Sequence, residues 1–285
     1  PLRWEPERPL DLAAWGARFN RWGPDPCTVV VDDVGHCEVM GTVWRARQVG
    51  GTIELDVDGD EDLALSDLRA RVADDLPWEP VAALAAIDDR VRTLVERRPG
   101  YRPPITPDPF EAIVGAISAQ QVNLRWALTT RTRLIERFGS RSEIGGVGVW
   151  AFPRPHAIGE VDPAELREMQ FTTRKSEYIV GVAEAATDGW LDDLSEQTNE
   201  EVVEHLTKLR GLGRWTAGQV LARSLARPDA VAAGDLGVRK AISHLWHESD
   251  ELLDEATIRT TAEAWGDAAN WVTHLLLEDL SAPIA

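Results

Sequence analysis

Apolar residues recur along this chain with two periods, and the change from one to the other divides it. Over the first hundred residues, short stretches alternate apolar and polar positions, as strands with one buried face do. "CTVVVDD" and "CEVMGTVWRARQVGGTIELDVDGD" read as strands, with Gly50 and Gly51 at a hairpin turn. A short amphipathic helix, "LDLAAWGARFNRW", precedes them. Two helical stretches follow, "EDLALSDLRARVADDL" and "PVAALAAIDDRVRTLVERRPG", ending near Gly100. After the proline-rich joint "YRPPITPDP" the period becomes helical almost throughout. Helices are predicted over 108–116, 121–138, 163–170, 173–189, 198–209, 214–227, 236–247, 256–265 and 267–280. Each is bounded by an Asp, Ser, Thr or Pro start or a Gly stop. This predicts a small α+β domain over 1–104 and a helical domain over 105–285. There is no internal repeat and no low-complexity tail.

The chain has 285 residues, 44% of them apolar, enough for one large domain or two medium ones with buried cores. No apolar run approaches the roughly 18 residues of a membrane span, so no membrane association is expected. The first stretch, "PLRWEPERPLDLAAWG", carries charges where a secretion signal needs an apolar centre, so a cytoplasmic protein is expected. The two cysteines, Cys27 and Cys37, cannot build an all-cysteine zinc or iron–sulfur site and are expected as free thiols. His244 and His247 share a helical face, but two ligands alone do not make a strong metal site. No phosphate-binding P-loop, dinucleotide fingerprint or Ser-His-Asp signature is present.

The net charge of −18 argues against a polyanionic partner. The average hides an asymmetry, however. Residues 205–247 hold seven Lys or Arg against two Asp, and residues 119–142 hold five Arg against one Glu. Only three of the basic residues are Lys: Lys175, Lys208 and Lys240.

The first basic region contains "LRGLGRWTAGQVLARSLARPDAVAAGDLGVRKAI". Gly211 and Gly213 stand between two helices and permit a tight turn with positive φ. Backbone N–H groups of that turn, and of the next helix as far as Thr216, are then free to face an anion. Arg210 and Arg214 would reinforce it. By itself the pattern also fits an ordinary helix corner. Asp235, just before a helical stretch, reads in isolation as an N-cap, and Asp229 after Pro228 as a turn residue.

"LRGLGRWTA" resembles the helix-hairpin-helix of DNA-binding proteins. Together with "GDLGVRKA" it resembles the helix-hairpin-helix DNA glycosylase superfamily, and Gly-Leu-Gly-Arg-Trp-Thr-Ala is similar to its AlkA type, 3-methyladenine DNA glycosylase II. "FEAIVGAISAQQVNLRWALTTRTRLIERFG" resembles that type's helix bearing Gln-Gln and ending in Phe-Gly. The matching segments lie between about residues 108 and 245. The resemblance implies a mostly α fold: a glycosylase core of two helical lobes with the cleft between them, preceded by the small α+β domain.

It also implies roles. Asp235 matches the catalytic Asp, which stabilises the cationic sugar once the nucleotide is flipped out of the duplex and helps align water. Bifunctional members carry a nucleophilic Lys at the position of Trp215. Trp cannot form a Schiff base, so base removal without strand cleavage is expected, with the indole walling the base pocket. Gln120 would line the pocket, and Gln121 would wedge into the gap left by the flipped nucleotide. Arg125, Arg131, Arg133 and Arg137 are spread around the helix that follows. The expected partner is double-stranded DNA holding a damaged base, bound by a monomer with steep salt dependence. No cofactor is implied, though a monovalent cation could sit at the hairpin carbonyls.

The chain departs from the AlkA type at four places. Gln121 replaces an apolar wedge. Gln219 stands where the type has an aromatic residue, four positions after Trp215. Trp265 fits the first Trp of a Trp-x-Pro-Trp-Arg pattern, but Asp267, Ala268 and Ala269 replace the rest, and the type's later pocket Trp falls on Leu276 or Leu277. Gln219, Asn270 and Trp271 are therefore expected to complete the pocket. Alkylated purines are the expected substrates. A more polar pocket would also suit oxidised or deaminated purines such as 8-oxoguanine or hypoxanthine. A non-catalytic DNA-binding module leaves Asp235 and Trp215 unexplained.

Overall fold

The computed structural model describes residues 1–281. Strand β1 (Leu2–Trp4) and helix α1 (Leu12–Asn20) lead into β2 (Thr28–Val31), β3 (Val34–Val39), β4 (Thr42–Val49) and β5 (Thr52–Asp58). These strands form one antiparallel sheet in the order β1-β5-β4-β3-β2, with Trp44 facing Cys37 on one side and Val57 on the other. The alternation read from the sequence is the burial pattern of β5, where Ile53 and Leu55 are buried and their neighbours are not. Helix α2 (Glu61–Arg71) closes over the sheet through Ala64 and Leu68. A buried polar centre ties them together: Trp44 Nε1 and Arg71 Nε both donate to Asp67 Oδ2 at 2.8 Å, and the Arg71 carbonyl accepts from Trp15 Nε1 at 3.1 Å.

The stretch read as one helix up to Gly100 is two, α3 (Glu79–Ile87) and α4 (Asp89–Arg97). They break at Asp88, which takes extended φ/ψ and caps α4 through the Arg90 N–H. There follow α5 (Pro109–Ala119), α6 (Leu124–Phe138), β6 (Ser140–Ile144), β7 (Val147–Ala151), α7 (Pro155–Gly159), α8 (Pro163–Glu168), α9 (Thr173–Thr187), α10 (Asn199–Thr207), α11 (Arg214–Arg223), α12 (Leu236–Lys240), α13 (Glu255–Glu263) and α14 (Ala269–Ser281). Local caps fix several of the starts. Asn123 accepts from the Trp126 N–H at α6, and Thr198 and Glu201 form a reciprocal capping box at α10.

Several elements differ from the expectation. The pattern did not indicate β1, the short helix α7 or the β6–β7 hairpin, which turns at Gly145 and Gly146 beside the main sheet. The helix expected over 236–247 is α-helical only to Lys240 and continues as a π-helical turn over Ala241–Trp246. No helix among the described residues is long and apolar enough to cross a membrane.

The cores do not divide at residue 104. One holds the sheet, α1 and α2. A second runs from Phe110 on α5 to Ala230, past α11. The third joins Val81, Val91 and Leu94 of α3 and α4 to Val238, Ile258, Trp271 and Leu275 of α12–α14. Helices α3 and α4 therefore belong to the C-terminal lobe in packing, although they precede the proline-rich joint. The two helical lobes meet where α11 ends and the chain crosses to α12.

Replacing Asp67 with Asn should leave the buried Arg71 guanidinium without its counter-charge and cost about 3–5 kcal/mol. Urea unfolding of Asp67→Asn beside the wild type measures this. A loss below about 1 kcal/mol would mean the trio is not what fastens α2 to the sheet.

Candidate active site

The crossing from α11 to α12 builds the site. Helix α10 ends near Lys208, the chain turns, and α11 starts at Arg214. Gly211 adopts φ +93, and a Cβ there would lie 2.2 Å from the Tyr178 ring, so neither the conformation nor the contact admits another residue. Leu212 is buried and anchors the turn. Gly213 caps α11 with no side-chain bond, leaving the first N–H groups of the helix without an internal acceptor. Gly213 and Arg214 are exposed, as an anion site requires. Arg210 is exposed too and lies 3.4 Å from Glu177. Thr216 does not join them. It is 1% exposed, turned into the lobe, and cannot meet a phosphate.

Asp235 caps α12, its Oδ1 accepting from the Val238 N–H at 3.1 Å. Its other oxygen faces α11. Trp215 Nε1 donates to Oδ2 at 3.3 Å and Gln219 Nε2 donates to it at 3.0 Å. Residues 215 and 219 stand one helical turn apart, so one face of α11 supplies both donors. A Cβ on Gly237 would lie 3.0 Å from Oδ1, so a larger residue there would press on the carboxylate. Asp229, the other acid of the region, accepts from Asn199 Nδ2 and lies in the connection, as a turn residue would.

Trp215, Gln219 and Asp235 line a cavity of about 1230 Å³ that also holds Gln120 and Gln121. Gln120 caps the end of α5 and donates to the Gly211 carbonyl at 3.1 Å, joining α5 to the hairpin and occupying one lone pair of a carbonyl that a cation would use. Gln121 is exposed with φ +53, set between two helices at the rim, and therefore ends α5 rather than opening α6. Of the arginines on α6, Arg131 pairs with Asp25 at 2.6 Å and Arg137 with Glu165 at 2.6 Å, while Arg133 bonds to the Met169 carbonyl at 3.4 Å. Arg125 is exposed.

Two expected pocket residues are elsewhere. Asn270 is fully buried, and its Nδ2 donates to the carbonyls of Ala222 and Arg227 at 3.0 and 2.8 Å, fastening α14 to the end of α11. Trp271 is 2% exposed and packs edge-on against Trp78 and Tyr101 in the C-terminal core. The apolar stripe of α14 faces inward at this level, and it is further along the helix that Leu277, Leu280 and Ser281 reach the cavity.

The cavity has lining that the sequence did not reveal. Phe19 and Trp22, at and beyond the end of α1, supply aromatic surface from the N-terminal domain, and Trp22 is exposed. Arg18 and Arg21 beside them ion-pair with Glu278 of α14, docking that domain over the opening. Glu111 of α5 is buried against Arg131, and burial pushes its carboxyl up to about 7. Arg223 also lines the cavity. Only Arg223 carried a usable signal, since it continues the 215, 219 spacing on α11. The others come from elements distant in sequence.

A model of the HhH-GPD superfamily of base excision DNA repair proteins matches residues 114–266, which include the hairpin, α11 and Asp235. The chain belongs to that superfamily. The solved 3-methyladenine DNA glycosylase of Archaeoglobus fulgidus superposes on the HhH-GPD protein described here with a TM-score of 0.87, at 26% identity, over the whole of both chains. The Schizosaccharomyces pombe 3-methyladenine DNA glycosylase solved with abasic DNA matches with a TM-score of 0.60 at 26% identity, over 73% of this chain and 99% of that one. A DNA-3-methyladenine glycosylase of Bacillus subtilis is 33% identical over 168 residues, 58% of this chain and 55% of the relative. The chain spans about half the length of the Bacillus subtilis relatives it matches, 53% and 55%.

Replacing Asn270 with Ala in this HhH-GPD protein should strand the two buried carbonyls and cost about 2–4 kcal/mol. Chemical denaturation of Asn270→Ala reads the loss. Unchanged stability would mean that Asn270 is not what holds α14 to α11.

Proposed function

We propose that this HhH-GPD protein is a monofunctional DNA glycosylase that hydrolyses the N-glycosidic bond of damaged, chiefly alkylated, purines in double-stranded DNA. The observation that carries the proposal is the Asp235 carboxylate, fixed at a cavity wall by Trp215 and Gln219, beside a hairpin with free N–H groups.

The damaged nucleotide lies out of reach inside a duplex and must be extruded. The hairpin, with Gly211, Gly213 and Arg214, holds the backbone through phosphate oxygens. Gln121 at the rim stands where a side chain would fill the vacated space. The cavity then receives the base, and Trp215 with Phe19 and Trp22 offers aromatic faces to it. As the C1′–N bond lengthens, positive charge grows on the sugar, and the fixed carboxylate stabilises it without reorganising. Water adds to C1′, its oxygen forming the new bond. The C1′–N pair leaves with the base, and the water proton passes to the solvent or to the departing nitrogen. A base already cationic by alkylation leaves neutral and needs no prior protonation.

Trp215 has no nucleophilic amine, so the sugar is released as an abasic site with the strand intact. Lys175 does not substitute for one, since it is buried and its Nζ donates to the Ser118 carbonyl at 2.8 Å. The salt dependence of DNA binding should be steep, and action as a monomer on DNA in the cytoplasm or nucleoid follows from this reading.

Single-turnover assays on duplexes carrying one alkylated purine should show base release, with strand breaks only after alkali. Asp235→Asn keeps the helix cap and should slow release at least about 100-fold. Gln219→Leu should slow it about 10-fold by removing one hydrogen bond to the charge. Strand cleavage without alkali would overturn the monofunctional assignment. An undiminished rate in Asp235→Asn would overturn the role of the carboxylate.

A further inference from the structure

Asp235 and Arg223 are the partly buried charged groups of the cavity wall that have no opposite charge in contact among the described residues. Asp235 accepts from the Val238 N–H, from Trp215 and from Gln219, all neutral donors. Arg223 stands one turn beyond Gln219 on the same face of α11 and makes no side-chain hydrogen bond or ion pair to the described residues. The cavity's other charges are matched or lie in water. Arg18 and Arg21 meet Glu278, Arg131 meets Asp25 and Glu111, and Lys240 is exposed at the rim. Glu255, beside Gly234, pairs with Arg259.

The two groups are placed to act on each other. Side chains on a helix lean towards its N-terminus, so Arg223 leans back over the turn whose Gln219 holds the Asp235 carboxylate. The other end of α11 is closed, because the Arg223 carbonyl accepts from the Thr106 N–H at 2.8 Å. Burial pulls the Arg223 guanidinium below the ordinary arginine range, and Asp235 is the group that most opposes this. The remaining charged or titratable neighbours do not answer it. Arg18 is a like charge, and burial holds Tyr101 as the neutral phenol. His274 of α14 is pushed down to about 3 by burial and by the charges of Arg223 and Arg18, so it stays neutral. Arg223 and Asp235 are thus coupled by charge without touching.

That coupling matters when the cavity fills. A base that displaces water disfavours the charged form of a neighbouring carboxylate unless a positive charge is near. A cationic alkylpurine brings that charge with it. An uncharged damaged purine does not, and Arg223 is then the cation in the wall. We propose that Arg223 is a positioning residue that acts through Asp235: its charge keeps the carboxylate ionised when an uncharged base fills the cavity, so release of uncharged damaged purines depends on Arg223 and release of cationic ones does not. This rests on the glycosylase reading above and deepens it.

The experiment follows single-turnover release by wild type, Arg223→Met and Arg223→Lys from about pH 5 to about pH 8. 7-Methylguanine and 3-methyladenine leave from cationic nucleotides, hypoxanthine and 1,N6-ethenoadenine from uncharged ones. Each variant's rate is divided by the wild-type rate on the same duplex at the same pH, so the intrinsic lability of each base cancels. Towards acid, Arg223→Met should lower release of the uncharged pair about 10-fold more than that of the cationic pair. The pH at which its release of the uncharged pair falls away should rise by about one unit, since a carboxylate that loses a cationic neighbour takes up its proton at higher pH. Arg223→Lys keeps the charge and should restore most of both. An unpaired guanidinium taken out of water does not stabilise a fold, so the Tm of Arg223→Met should not drop, as it would for a structural residue. An equal effect on both pairs, no effect, or Arg223→Lys behaving as Arg223→Met overturns the proposal. Release of the cationic pair alone by the wild type overturns it too and leaves the glycosylase reading standing. Release of none of the four overturns that reading and the proposal with it. If Arg223→Met does not fold, Arg223→Gln repeats the comparison, and loss of the fold in both makes Arg223 structural and overturns the proposal.

Discussion

The site depends on one carboxylate whose two oxygens have separate duties. Oδ1 of Asp235 closes the start of α12, and Oδ2 holds the side chains of α11. The two helices belong to different hydrophobic cores, so this residue is also where the lobes are registered against each other. Capping α12 and the role proposed for the Asp235 carboxylate are therefore not alternatives. The cap fixes the carboxylate's direction, and the donors on α11 hold it ready to meet a positive charge. A preformed arrangement is what electrostatic stabilisation needs, because nothing has to reorganise as the charge develops.

The helical half was legible because its signals are local. The N-caps at Asp108, Asn123, Thr198 and Asp235 act within four residues, and the glycine turn at Gly211 shows in the sequence as spacing. The β6–β7 hairpin was not legible, because its strands alternate weakly and gain their partner from the distant main sheet. Nor was the break at Asp88, where a helical period runs through a residue whose side chain caps the next helix. Within the site, the α11–α12 part could be read, whereas Phe19 and Trp22 reach the cavity only because α1 docks on α14 through Glu278. Asn270 and Trp271 misled for a related reason. A polar or aromatic residue on the last helix suits a pocket or a core equally, and only the rotation of α14 separates the two.

The charge of −18 and the proposed DNA-facing surface are compatible because the charges are sorted. Many arginines are consumed inside the molecule: Arg71 by Asp67, Arg131 by Asp25 and Glu111, Arg98 by Asp279. Around the hairpin and cavity rim, Arg125, Arg214 and Lys240 remain exposed. Attraction to phosphate over distances beyond about 10 Å is screened at ordinary ionic strength, so a few local cations outweigh acids on the far side once contact is near. The overall acidity then limits loose binding more than engagement of a site.

Trp215 ties the chemistry to the fold. Its ring walls the cavity while its N–H holds Asp235, so its orientation is set by the acid it serves. A lysine at this position would bring an ammonium group to the same carboxylate. That pairing would favour the protonated amine and place an adaptable nucleophile within reach of the sugar. The indole does neither. It offers one directed donor, no nucleophile, and a flat apolar face. On the proposed reading the carboxylate is then left to act on the sugar alone, and the outcome passes from covalent capture to attack by water. One substitution in the first turn of α11 thus fixes both the product expected of the site and the aromatic surface against which its base is held.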